Sequence, residues 1–520
     1  MCSASRPSRR SKKGPDRANP DIVEQKLEKR PVFWFYGTGA IAYGVKNNAF
    51  SYLLLIYANQ VLGLPGYLAS IALAVALVWD AATDLFVGHW SDKTSSRHGR
   101  RHPFMYAALV VLPAAFYGLF NPYIELTGAN TFTYVLVMAI LIRTGTTLFE
   151  VPSTSLLPEL ESQYDRRNKW LALRHAFGWY GGNLLHTVNF LFWVGAYGFT
   201  VQTGYSIYAA VGAALILLAI TVSSLGTRRE AAALPRPAEP LRIRAIAHEI
   251  RQVFQSVRNP NFAALFFYGL VAAIGAGLAE ALFLYNAYYF FGFSGVQIAA
   301  VGICVMVSPV TAYWVAPRLG ARLGKKGGAI TGILLTVSIY PVPFVLLLLG
   351  WWPAIGSWPS LFAFAAITVI QVVCLMSGGV LLDSMMADVV EDSEVATSRR
   401  SEGLFYAARG FVAKGISAGG VLGAGTIVSL VGLDGIDSVD LMTRELRVNL
   451  ASMFLPLFCG LNLLALLIVS RYRITRDGHS ANLAALARRK GAAEPGADSG
   501  TAAGRGRDSE PGGETGRIVR

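Results

Sequence analysis

The sequence predicts an all-α integral membrane protein with 12 transmembrane helices in two six-helix halves, and three observations predict it. Hydrophobic residues make up 53% of the 520 positions and charged residues only 15%, where a soluble domain carries about 25% charged residues. Apolar runs of about 20 residues recur along the chain, each long enough to cross a hydrocarbon core of about 30 Å. A polar linker containing Pro235, Pro237 and Pro240 splits those runs into two sets of six.

In chain order, a basic polar tail (1–31) precedes the N-terminal bundle (32–226). Its helices are expected at 33–60, carrying Lys46; at 66–90, carrying Asp80 and Asp84; and at 103–120. They continue at 131–158, with Arg143 and Glu150, at 170–195, with Arg174, and at 204–225. The linker (227–260) leads to the C-terminal bundle (261–472), with helices at 262–291 (Glu280), 296–317 and 328–350. The last three are expected at 359–387 (Asp383), 402–432 (Arg409 and Lys414) and 448–470. The basic connection after the second helix has a weaker echo after the eighth, at Arg318, Arg322, Lys325 and Lys326, as two related halves would give. The final segment, 473–520, is polar and rich in Gly, Ala, Arg and Pro, and is expected to be a disordered cytoplasmic tail.

Lysine and arginine set the orientation. The connections after helices 1, 3, 5, 7 and 9 contain none, and that after helix 11 contains Arg444 and Arg447. The even-numbered connections carry Lys93, Arg97, Arg100 and Arg101; Arg166, Arg167 and Lys169; seven arginines in the linker; the eighth-helix cluster; and Arg399 and Arg400. Both termini are therefore expected in the cytoplasm, with the protein multi-pass in the plasma (inner) membrane. The net charge of +14 follows this topogenic pattern and implies no nucleic-acid partner. Residues 1–31 lack the apolar stretch of a cleavable signal peptide. Cys2, Cys304, Cys374 and Cys459 show neither metal-ligand spacing nor a disulfide framework.

Ten ionisable residues, histidines aside, fall within apolar segments: Lys46, Asp80, Asp84, Arg143, Glu150, Arg174, Glu280, Asp383, Arg409 and Lys414. Intramembrane charges are tolerated when they pair or face a cavity. Asp80 and Asp84 are four residues apart, so on a helix they share a face about 5–6 Å apart. With Glu150 from a neighbouring helix they offer hard oxygen ligands suited to a hard cation such as sodium. Without the cation, repulsion favours protonation of one of them, so a proton is the competing way to neutralise the site. Arg143, seven residues before Glu150 and on nearly the same face, is a candidate internal cation. Helix-locking ion pairs with no contact to a solute are the plain alternative.

The stretch Trp79 to Phe104 closely resembles the glycoside–pentoside–hexuronide:cation symporters, the melibiose-permease branch of the major facilitator superfamily. That family's pattern runs Asp-x-x-x-Asp-Pro-x-x-Gly, then Ser-Asp-x-Thr-x-x-Arg-x-Gly-Arg-x-x-Pro. Here Asp80, Asp84, Gly88, Ser91, Asp92, Thr94, Arg97, Gly99, Arg100 and Pro103 follow it, with Leu85 in place of the first proline. Glu150-Val-Pro152 through Pro158-Glu159, Arg174 on helix 5, and Ala387-Asp388 through Glu402-Gly403 leading to Lys414 are further matches.

The resemblance implies the major facilitator fold and a secondary active transporter. It would couple sodium or protons to a sugar or glycoside-like solute by alternating access, as a monomer in the lipid bilayer and with no cofactor beyond the coupling ion. By position, Asp80 and Asp84 match the family's cation-binding acids, and Glu150 stands where an aspartate serves both cation and sugar. Arg174 resembles the arginine beside the sugar, and Lys414 the lysine linking the two sites. Lys46 and Asn47 occupy the helix 1 region where the sugar carriers present an aspartate, and Thr154 stands at the expected aromatic. Asp92, Arg97, Arg100 and Arg101 resemble the cytoplasmic hairpin that takes part in switching. The missing helix 1 acid leaves the cation machinery better supported than a sugar site. Eukaryotic carriers of this branch move lysophospholipids, so an amphipathic solute is the alternative; a non-transporting membrane sensor is the alternative of another class. No zinc-protease motif, phosphate loop or nucleophile–base pair suggests an enzyme.

Overall fold

The computed structural model describes residues 31–94, 96–161, 163–232, 259–397, 402–436 and 438–492. The basic tail before 31, most of the linker and the chain beyond 492 lie outside these residues.

The helices start and stop where local chemistry directs. α1 (31–61) opens on Pro31, whose missing N–H costs nothing at a helix start. α2 (Gly66–Lys93), α3 (His102–Phe120), α4 (Ala129–Ser155), α5 (164–197) and α6 (Gln202–Ala232) complete the first half. In the second half α7 spans 260–290, its first turn capped by Asn259 Oδ1, which accepts from the backbone N–H groups of Asn261 (2.9 Å) and Phe262 (3.2 Å). α8 (295–323) begins with a reciprocal capping box between Ser294 and Gln297. Gly324, at φ 73°, breaks the helix and starts α9 (325–348). α10 (Trp358–Thr397), α11 (Glu402–Val431) and α12 (Arg444–Val469), N-capped by Thr443, finish the bundle.

Among the described residues, eight apolar helical stretches meet the length and hydropathy needed to cross a membrane; one of them, 295–348, contains both α8 and α9. The spans expected at helices 1 and 5 fall short of continuous α-helix because π turns interrupt them, at Ala49–Leu53 and Tyr57–Val61 in α1 and at Asn189–Trp193 in α5. π turns admit an extra residue per turn and concentrate at functional sites. All three lie in helices that face the opposite half.

Two expected boundaries are corrected. α6 continues to Ala232, into the stretch read as linker. Within the segment 473–520, expected to be disordered, Arg476–Ala492 forms a helix, α13, and the residues beyond 492 lie outside the described ones. The Gly- and Pro-rich composition begins only after that run of Ala, Leu, Arg and Lys, all strong helix formers. α13 also docks on α10: His479 Nδ1 lies 3.3 Å from Asp388 Oδ1 and 3.1 Å from Glu391 Oε2, and Asn482 Nδ2 donates to Asp392 Oδ1 at 3.2 Å.

The halves meet through α2 on α11, α5 on α8 and α1 on α7. Glycines permit the first two approaches: a Cβ on Gly425 would lie 2.2 Å from Gly66 O, and one on Gly295 would lie 2.2 Å from Gly195 Cα. At this end, where α1 turns into α2, Asp434 accepts from Asn59 Nδ2 (2.7 Å) and from the Gly66 N–H (2.9 Å), and Tyr285 donates to Asn59 Oδ1 (2.9 Å). One apolar core, including Leu54, Tyr57, Phe190, Tyr285 and Phe291, runs through both halves there. At the opposite end each half closes on its own cluster: Phe33, Tyr36, Leu157 and Trp170 in the first, and Phe262, Leu265, Met385 and Val389 in the second. Among the described residues the bundles thus share one core at one end and keep separate clusters at the other, the arrangement on which rigid-body rocking depends.

Candidate ion and solute site

α2 carries Asp80 and Asp84 near its middle, one helical turn apart, and α4 faces them with Arg143 and Thr147, spaced by the same turn. Asp80 is 1% exposed and Asp84 is half-buried. Thr147 Oγ1 lies 2.9 Å from Asp84 Oδ1 and 3.2 Å from Asp80 Oδ1. A hydroxyl has one proton, so it donates to one of the two carboxylates at a time. Arg143 Nη1 approaches Asp80 Oδ2 at 3.4 Å, and its guanidinium stacks 4.3 Å from the Phe50 ring of α1. Three oxygen-bearing side chains and one guanidinium therefore surround a point well inside the bundle. The donor set, two carboxylates and a hydroxyl, fits a hard cation.

Glu150 takes a different partner. Arg174 of α5 reaches Glu150 Oε2 at 2.8 Å and donates to Ser153 Oγ at 3.0 Å, with its guanidinium 5.2 Å from the Tyr36 ring of α1. Arg174 is 5% exposed and the pair ties α1, α4 and α5 together. Lys46 is 1% exposed, with Nζ 4.7 Å from the centre of the Tyr43 ring. With Asn47, Ser51, Arg143 and Glu280 it lines a cavity of about 130 Å³ between the halves. Thr154 lies further along the α4 face and is exposed, and Asp383 is exposed on α10. Lys414 and Arg409 are carried by α11, and their side chains lie outside the described residues.

A larger chamber of about 310 Å³ adjoins this cavity and shares Glu280 with it. Its walls include Tyr52, Trp179, Phe283, Tyr340 and Phe458, and its polar groups include Asn183, His186 and Gln371. Sequence reasoning flagged Glu280 and missed His186 and Trp179. The signal available was spacing: 179, 183, 186 and 190 repeat at three to four residues and mark one face of α5. Thr147 was missed too, although it falls between Arg143 and Glu150 on the same α4 face.

The hairpin after α2 folds against the short helix Leu157–Leu160 that follows α4. Arg101 pairs with Asp92 (2.9 Å) and with Glu159 (2.7 Å), and Arg100 also pairs with Glu159. Burial pulls the Arg101 guanidinium below its ordinary pKa, with Glu159 and Asp92 opposing that shift. Arg97 is exposed. The second half repeats the device: Lys325 pairs with Asp388 at 2.6 Å, and Lys326 donates to Tyr472 O at 2.7 Å.

A family model described as MFS/sugar transport protein matches residues 35–476. An uncharacterized symporter of Synechocystis sp. is 31% identical over 162 residues, 30% of this chain and 29% of that protein. A glucuronide carrier protein homolog of Escherichia coli is 23% identical over 87% of this chain and 94% of its own length. A sodium-dependent lysophosphatidylcholine symporter of Gallus gallus is also 23% identical, over 87% and 88%. Among solved structures, the inward-open xylose transporter of E. coli superposes with a TM-score of 0.58 at 13% identity, covering 88% of this chain and 99% of that one.

Proposed function

The chain belongs to the MFS/sugar transport protein family and is a cation-coupled symporter rather than an enzyme, and we propose that Asp80, Asp84 and Thr147 hold its coupling ion. The observation that carries this reading is the pairing of two carboxylates of α2 with one hydroxyl of α4 inside the bundle, next to Arg143, which lines the smaller cavity between the halves. Sodium and a proton both satisfy the site: the ion is held by the three oxygens, and the proton resides on one carboxylate while Thr147 serves the other.

The mechanism is alternating access. The halves rock about the shared core at the α1–α2 end, and the separate cores at the other end part and close. Arg100 and Arg101 hold the second and third helices to Glu159 so that the first half moves as one body, and Lys325 with Asp388 does the same in the second. Glu150 and Arg174 link that body to the solute chamber through α5. Ion and solute each raise the affinity for the other by the same factor, typically worth about 1–3 kcal/mol. Both termini face the cytoplasm in this reading, the membrane is the plasma membrane, and the monomer is the working unit.

The solute is a sugar or glycoside-like molecule. A second reading, an amphipathic solute such as a lysophospholipid, is favoured by the aromatic chamber walls at Tyr52, Trp179, Phe283 and Phe458. Uptake of a labelled glycoside and a labelled lysophospholipid into proteoliposomes, under separate sodium and proton gradients, tests both. Accumulation of neither under either gradient would contradict the assignment.

A further inference from the structure

The charge of the large chamber is unusual for a site that would receive a hydroxyl-rich or anionic solute. Among the described residues, Glu280 is the one acidic side chain on its wall and none of the lining side chains is a lysine or arginine. No ion pair reaches Glu280 among the described residues; Ser51 hydrogen-bonds to it. Arg143 and Lys46 lie on its far side, in the smaller cavity, where Arg143 is engaged with Asp80 and Lys46 sits over Tyr43.

A second observation points into the same space. His186 is 8% exposed, lines the chamber, and has neither ring nitrogen hydrogen-bonded among the described residues. It is held in place by ring contacts alone, 5.3 Å from Tyr52 and 4.5 Å from Phe190. Trp179 on the same face has a buried indole N–H without an acceptor. Unpaired buried polar groups are costly, and ligand sites are where such groups persist, since the ligand completes them.

We propose that this chamber binds a solute bearing a positively charged nitrogen on an apolar or aromatic body, with Glu280 as its counter-charge. Aromatic faces attract cations through their negative quadrupole, and Tyr52 and Tyr340 supply such faces on the chamber wall with Glu280. The apolar body fills the space between Phe283 and Phe458, and His186 and Trp179 bind polar atoms of the solute. A carboxylate-bearing solute would meet Glu280 with no compensating cation among the described residues of the chamber wall. The inference rests on the reading that the chamber holds the solute, and it departs from the glycoside reading by giving that solute a positive charge and an apolar body.

The test uses three probes that share a phenyl body and differ in charge: phenyltrimethylammonium, phenyl β-glucoside and phenyl β-glucuronide. Each is labelled and offered to the purified full-length chain in proteoliposomes, with tryptophan fluorescence as a parallel binding readout. The cationic probe is expected to bind at least tenfold more tightly than the glucuronide. Glu280→Gln should weaken the cation at least tenfold and the glucoside less than threefold, and Glu280→Asp should retain most of the cation's binding. Equal or tighter binding of the glucuronide, no binding of the cation, or cation binding unchanged in Glu280→Gln would overturn the proposal. Thr336→Trp, which fills the chamber from α9, separates the two claims. If it abolishes uptake of a glycoside while the cation never binds, the chamber is the solute site and its charge preference is wrong. If it leaves uptake of all three probes intact, the chamber is not the solute site.

Discussion

Thr147 donates to Asp84 across 2.9 Å, with Asp80 only 3.2 Å from the same hydroxyl, so one proton serves two carboxylates. In the proposed mechanism the coupling ion or proton joins this hydroxyl between the two carboxylates. Removing the hydroxyl without changing shape, in Thr147→Val, should raise the ion concentration for half-maximal uptake about tenfold, which corresponds to about 1.4 kcal/mol. Solute exchange in saturating ion should stay within about twofold. Uptake measured against ion concentration checks this, and an unchanged half-maximal concentration removes Thr147 from the site.

Arg174 is buried on Glu150, so either partner alone is left uncompensated when the other is lost. Glu150→Gln or Arg174→Gln should each destabilise the fold by about 2 kcal/mol, at or below the low end for buried pairs because the Glu150 side chain is 23% exposed. The double variant should recover part of the loss. Thermal melting in detergent of the four proteins decides it; strictly additive losses would mean that the two residues do not act as a pair.

The clamp at the end of α2 distinguishes its two acids. Glu159 bonds both Arg100 and Arg101, while the Asp92 side chain is 51% exposed. Glu159→Gln should therefore lower the melting temperature more than Asp92→Asn, and raised salt should narrow the gap. The reverse order would place the working contact at Asp92.

Cys374 lies on the chamber wall and is half-buried. In a chain retaining Cys374 alone, a small maleimide should label it, and a transported solute should slow that labelling at least fivefold. Labelling indifferent to every transported solute would place solute binding elsewhere.

Much of this arrangement was legible in the residues. α2, α3, α6 and α12 are continuous apolar runs whose length alone marks them, and the four-residue spacing of Asp80 and Asp84 places them on one face without a structure. The motif from Trp79 to Phe104 carried the family. What could not be read was which side chain crosses to which helix. The sequence places Glu150 with Asp80 and Asp84 and Arg174 beside the solute, whereas in the structure Glu150 pairs with Arg174, because that choice depends on how α4 and α5 are rotated. The π turns left no mark in composition. α13 was hidden because its polar, Ala-rich sequence gains its order by docking His479 and Asn482 on the acidic end of α10.

The account turns on a carboxylate of α2 binding the ion that drives accumulation. The most direct measurement compares solute uptake by the unaltered chain and Asp84→Asn in proteoliposomes under an imposed sodium or proton gradient, with gradient-free exchange measured beside it. Accumulation above equilibrium in the unaltered chain and none in Asp84→Asn, with exchange largely kept, is the result predicted. Accumulation by Asp84→Asn to the same level as the unaltered chain would contradict it.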